Sequence, residues 1–348
     1  MYDCSADIKA FHDQEVTLPG SEQTKMRNRR NSNRDRLKRN LEKDDKPTPY
    51  EHVSQGSYQM KTMLRDPNND YDIDDGAYFE KSALVGQKGA EMTSLQARQM
   101  VCDAMDDGSF KTPPEVRSNC VRVFYSAGYQ VDIPVYRKIE CDGETYFELA
   151  ASSGWKRSDA RDVTDWYEDE RKATDDPVQF RRLNRHLKKH AKSRNSWKTR
   201  ALCGFGISVL LAEQCVIESD REDLALFDTM EAIRDRLDED TVINHPVTPD
   251  ETITTGDPDA KATYYRDRLT EALDHLQPLF ENDCDREIAL KCWDKVFNTT
   301  FFSERYEEDI APETKSALSA PAVASATILG ATTVASAAVS EMGGGRHA

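Results

Sequence analysis

The sequence predicts an α+β protein: a mixed sheet with flanking helices, packed against a second, helical lobe. Three observations carry this expectation. Alternating apolar segments that suit strands gather between residues 50 and 150, as in Val121-Arg122-Val123-Phe124-Tyr125 and Tyr129–Tyr136. Beyond Pro177 the apolar spacing lengthens to three or four, with Phe180, Leu183 and Leu187 on one stripe. The chain has 348 residues, enough for two packed lobes.

In chain order, residues 1–20 are polar and acidic. They read as a flexible lead-in with no signal-peptide pattern, which places the protein in the cytoplasm. Residues 21–165 read as the sheet-bearing core, entered by a long basic helix over Ser21–Lys43 whose large apolar residues are Met26, Leu37 and Leu41. Pro47 and Pro49 end that helix, and Tyr50–Ser54 suits a short strand. A helix over Thr93–Asp107 is expected to start at Thr93 or Ser94. The hairpin 121–136 and a strand at Thr145–Ala150 complete the sheet. Residues 166–311 read as the helical lobe: a basic helix after Pro177, an apolar one at Phe205–Glu213, and one opened by a Ser219-Asp220-Arg221-Glu222 capping box. Two more follow, over Lys261–Leu279 and Asp285–Val296. Residues 312–348 are rich in Ala, Ser and Thr and read as a flexible tail. Polar interruptions and the weak contribution of Ala to insertion argue against a membrane span there.

Composition narrows the function classes. A formal net charge of −16 argues against a nucleic-acid partner, which calls for a basic surface. The eight cysteines show no C-x-x-C and no His partner at zinc spacing, so reduced, mostly buried thiols are expected.

The chemistry concentrates in Gln55-Gly56-Ser57-Tyr58 and Tyr71-Asp72-Ile73-Asp74-Asp75-Gly76. Gly56 lets backbone approach a ligand, and the turn's amides with the Ser57 hydroxyl suit a phosphate. On a strand Asp72 and Asp74 project from one face. Asp132 lies in a later strand, where Val131, Ile133 and Val135 point the other way. Three carboxylates on one face repel; at ~5 Å and an effective dielectric of ~20, each pair costs about 3 kcal/mol. Hard divalent cations, Mg²⁺ foremost, would offset that repulsion, and the chemistry this suits is displacement at a nucleotide phosphorus. An Asp-x-Asp alone carries little weight, since it recurs at Asp238/Asp240, Asp257/Asp259 and Asp283/Asp285.

Together these motifs resemble the polymerase-β type of nucleotidyltransferase, and most closely the cGAS/DncV-like family (CD-NTases), nearest its DncV-like branch. The resemblance extends over about residues 21–302, through Ser158-Asp159 with Trp166, Leu187-Lys188, Ser208 within Gly206–Leu211, Asn244–Pro249 with His245 as an insertion, and Trp293–Asn298. It implies a cyclic dinucleotide synthase with a cGAMP-like product made from ATP and GTP, whose product activates a downstream effector in antiphage (CBASS) signalling. Asp72, Asp74 and Asp132 would be catalytic and hold two Mg²⁺ ions. Gly56, Ser57, Lys188 (with Lys189 as the alternative register) and Ser208 would hold the triphosphate. Some relatives are joined through their C-terminus to targets by a ubiquitin-like conjugation partner, and the tail here is compatible with that. The rivals are a same-fold enzyme making linear or larger cyclic oligonucleotides, and an inactive nucleotide-binding regulatory module.

Overall fold

The computed structural model describes residues 1–66, 71–86, 89–248 and 251–309. The tail at 312–348, with the expected conjugation point, lies outside the described residues, as does Pro249. Residues Met1–Tyr306 group as one unit.

A short helix, α1 (Ser5–Phe11), runs into a π-helical turn at His12–Val16, and α2 (Gly20–Lys43) follows. This corrects the expectation of a flexible lead-in: Cys4, Ile8, Phe11 and Val16 are buried in the core of the helical lobe. Distant partners hold so acidic a segment there. Asp7 accepts from Arg286 at 2.8 Å and from Arg305 at 2.7 Å, while Asp223 accepts from the Cys4 amide at 2.8 Å. Along α2, Met26, Leu37 and Leu41 pack inward as the stripe predicts. Its arginines turn to this chain's own groups: Arg34 to Asp75 and Arg36 to Asp107, while Arg29 lies over the Tyr129 ring.

The sheet begins with β1 (Glu51–Gln55), the single turn α3 (Gly56–Gln59) and β2 (Tyr71–Glu80). Next comes α4 (Ser94–Met105), opened by a capping box in which the Thr93 hydroxyl accepts from the Gln96 amide. The strands β3 (Glu115–Val116), β4 (Val121–Phe124), β5 (Tyr129–Ile133), β6 (Val135–Cys141), β7 (Glu144–Ala151) and β8 (Gly154–Arg157) follow. β2 is the spine. Along one edge β5 and β6 run end to end, both parallel to it and in one register across Pro134, with Tyr71 opposite Tyr129 and Ala77 opposite Val135. β1 lies antiparallel along the other edge. β4 and β7 flank β5 and β6, and β8, unforeseen in the sequence, extends that side. One sheet face packs Ile73, Ala77, Val121, Val123 and Val131 against α2 and α4 in a single apolar cluster.

The second cluster is the helical lobe, built from α5 (Ala160–Ala173), α6 (Pro177–Ala191), α7 (Gly204–Gln214), α8 (Glu222–Glu239), α9 (Ala260–Leu276) and α10 (Arg286–Phe297). Phe180, Leu183 and Leu187 are all within 1% of full burial, each worth about 1.5–3 kcal/mol. Asp176 caps α6 ahead of Pro177, and Asn298 ends α10 in the left-handed conformation that an asparagine tolerates. The expected box at Ser219 does not form. Arg221 occupies the cap position, and the Glu222 carboxylate turns inward to accept from Arg182 at 2.7 and 2.8 Å. All eight cysteines are free thiols; Cys4, Cys102 and Cys292 are buried, whereas Cys141 and Cys203 are exposed. Among the described residues no helix is long and apolar enough to cross a membrane.

Candidate active site

A cleft of about 680 Å³ opens between the uncovered sheet face and the helical lobe. Its floor is the carboxylate face of β2. Tyr71 and Ile73 point into the core, leaving Asp72 exposed and Asp74 half-buried on the opposite face. The parallel ladder places Asp74 directly beside Asp132, and Gln130 beside Asp72. The three acids therefore share one sheet face, as the sequence suggests. Asp75 points the other way, where Arg34 donates to it at 2.7 Å and Ser54 at 3.1 Å. Beyond the acids the stacked rings of Tyr78 and Tyr136, 4.5 Å apart, close the floor, and Gly76 leaves room for both.

The acids are short of positive charge. Burial, then Asp72, then Asp132 push the Asp74 carboxyl up to about 8, and Arg122 opposes this only in part. Arg122 stands across from Asp132 on β4 and donates to its two oxygens at 2.7 and 2.6 Å. Among the described residues no three His, Cys, Asp or Glu side chains are gathered tightly enough to cage a metal ion; Asp132 is held by Arg122. The donor set, all carboxylate oxygen with no imidazole or thiolate, nonetheless fits a hard divalent cation and not a soft one.

The Gly56-Ser57 turn lies beside these acids. Gly56 has φ +64°, and a Cβ there would collide with Asp74 Oδ2, so only glycine serves. Ser57 lines the cleft on the first turn of α3. A few residues on, Met60 enters the helical lobe's core, and Thr62 Oγ1 accepts from Lys188 Nζ at 2.9 Å. The motif is thereby clipped to the opposite wall.

That wall is α6 and the segment after it. Lys188, Lys189, Lys192, Asn195 and Lys198 line the cleft. Lys188 is 6% exposed, and burial, reinforced by Lys192, lowers its ammonium to about 7. Lys189 Nζ donates to the Glu15 carbonyl at 3.0 Å, so both lysines line the cleft while held by groups of the chain itself. Ser208 is not brought to the site. It has no exposed surface, and its hydroxyl donates to the Gly204 carbonyl one helical turn back and accepts from the Asn184 amide nitrogen at 3.1 Å. Residues 204 and 205 of α7 reach the cleft instead. Sequence reasoning also gave no role to Arg122 or Thr62. The first had a readable signal, because closing the 121–136 hairpin sets Arg122 opposite Asp132.

Fold and acid face together define the polymerase-β-like nucleotidyltransferase class. Residues 50–136 match the family described as cyclic GMP-AMP synthase DncV-like, nucleotidyltransferase domain. A cyclic GMP-AMP synthase of Escherichia albertii is 26% identical over 201 residues, 56% of this chain and 43% of that protein. The chain thus matches less than half the length of that relative. Three solved structures share the fold. Vibrio cholerae DncV with the linear intermediate pppA(3′,5′)pG has TM-score 0.69 and 14% identity, covering 85% of this chain and 96% of its own. CdnG of Bradyrhizobium diazoefficiens with GTP has 0.66 and 14%, covering 88% and 98%. Escherichia coli CdnC with ATP has 0.63 and 18%, covering 86% and 98%.

Proposed function

We propose that this chain joins ATP and GTP into a cyclic dinucleotide of cGAMP type, releasing pyrophosphate at each of two transfers, and that the product signals to a downstream effector in antiphage (CBASS) defence. The observation that carries this reading is the register of Asp74 against Asp132, with Asp72 on the same face, across a cleft from Lys188. Its nucleotide choice is supported by the ATP, GTP and pppA(3′,5′)pG bound in the structures of similar fold.

Asp72, Asp74 and Asp132 would hold two Mg²⁺ ions, which when bound supply charge stabilisation to the attacking and leaving oxygens. The chain's own groups do the rest. The Gly56 backbone and the Ser57 hydroxyl would seat the phosphates against the acids, while Lys188 fixes their far end from the helical lobe. Positioning and charge stabilisation suffice for phosphoryl transfer, so no nucleophilic side chain is needed. The cytoplasm, where nucleoside triphosphates are plentiful, is the compartment this reading requires.

Labelled NTPs offered singly and in pairs with Mg²⁺, followed by phosphatase and a linkage-specific nuclease, test it. A phosphatase-resistant product that needs both ATP and GTP is expected. Pyrophosphate release with only linear or larger cyclic products would replace the dinucleotide assignment, and no release from any NTP would overturn enzymatic activity.

A further inference from the structure

Asp132 has a partner that nucleotidyl transfer does not explain. The Arg122 fork occupies both of its carboxylate oxygens, at 2.7 and 2.6 Å. The pair is built in: the two residues are direct cross-strand neighbours, and fully buried Val121 and Val123 on either side of Arg122 fix its strand. On the other face Asp75 and Arg34 form a comparable pair that is purely a brace. The Arg122 pair differs in its surroundings. Asp74 is the next residue along the ladder from Asp132, and the Arg122 guanidinium acts electrostatically on Asp72 and Asp74 as well as on Asp132.

We propose that Arg122 is a positioning residue that stands in for a divalent cation. In the nucleotide-free protein its guanidinium neutralises Asp132 and denies it to a metal, and it must give up at least one carboxylate oxygen before Asp132 can become a ligand. The inference rests on the reading of Asp72, Asp74 and Asp132 as a cation site. It accounts for a cluster that has the right donors yet, among the described residues, forms no ready-made cage. A single like charge about 5 Å from an incoming ion is enough to weaken its binding tenfold or more.

The test uses the full chain without nucleotide and Mn²⁺ as the probe, its affinity read by calorimetry or by the spin resonance of free Mn²⁺. Arg122→Met should bind Mn²⁺ about tenfold more tightly than the wild type. Arg122→Lys, which lacks the two-pronged grip, should fall between them. In chelator Arg122→Met should melt roughly 5–10 °C lower, because it strands a buried carboxylate. Mn²⁺ should restore most of that loss in the variant while moving the wild type little. If Asp132→Asn abolishes Mn²⁺ binding but the Met and Lys variants bind no more tightly than wild type, Arg122 is a static brace and the inference is overturned with the cation site intact. If wild type and variants all fail to bind Mn²⁺, the site and the inference fall together. Should Arg122→Met not fold even with Mn²⁺, the Lys variant decides alone, and wild-type affinity there is the overturning result.

Discussion

The chain has two strongly basic stretches, and the protein uses them differently. Along α2 the guanidinium groups of Arg29, Arg30, Arg34 and Arg36 are turned to the protein's own groups. Arg34 grips Asp75, Arg36 grips Asp107, Arg30 donates to Ser54, and Arg29 covers Tyr129. In residues 181–200 the arginines do the same, Arg181 with Glu168 and Arg182 with Glu222, whereas Lys188, Lys192 and Lys198 line the cleft. Arginine's rigid fork suits a fixed carboxylate; a lysine is a single charge on a flexible stem. The difference teaches that charge density along the sequence does not locate the ligand. What does is which basic groups face the acid floor.

The largest effect tests the floor that gives the lysines their meaning. Asp72→Asn combined with Asp74→Asn should cut pyrophosphate release by at least about a thousand-fold, roughly 4 kcal/mol of barrier, while the circular dichroism spectrum stays unchanged. Next comes the braced side of the comparison. Arg34→Met leaves Asp75 buried without its partner and should cost about 3 kcal/mol of stability in denaturant titration, with KM for ATP unaltered. A change in KM with no loss of stability would make α2 part of the site.

Lys188→Met should raise KM for ATP about thirty-fold, some 2 kcal/mol, with little loss of stability. The same lysine yields a pH signature. In the empty cleft its ammonium is lowered to about 7, so below that pH it is already charged and a triphosphate binds without proton exchange through this group. Above 7 the lysine must take up a proton as the phosphates bind, and affinity should fall as pH rises. Calorimetry of ATP binding at pH 8, in buffers of different ionisation enthalpy, should show proton uptake that Lys188→Met abolishes. The smallest effect belongs to the exposed lysines at the rim. Lys192→Gln and Lys198→Gln should each cost only a few-fold in KM, and the difference should vanish in high salt.

Much of this was legible before any coordinates, for physical reasons. Strand alternation put Asp72 and Asp74 on one face, and three flanking valines and isoleucines put Asp132 on the corresponding face of its own strand. Helical spacing found the buried stripe of α6, and Thr93 announced the start of α4. What escaped depends on contacts far apart in the chain. The first sixteen residues look too polar to pack until Arg286, Arg305 and Asp223 arrive to hold them. Ser219 loses its box because Arg182, from another helix, takes Glu222. Ser208 has the residue type for phosphate binding, but its place inside α7 leaves its hydroxyl satisfied within the protein.

The pairing of Asp74 with Asp132 across two parallel strands is the feature on which the proposed catalysis turns. The most direct measurement is pyrophosphate release by Asp132→Asn beside the wild type, with both proteins shown to be folded by circular dichroism. Turnover by the wild type and its near-complete loss in the variant is the expected result. Undiminished turnover with asparagine at 132 would contradict a three-acid site.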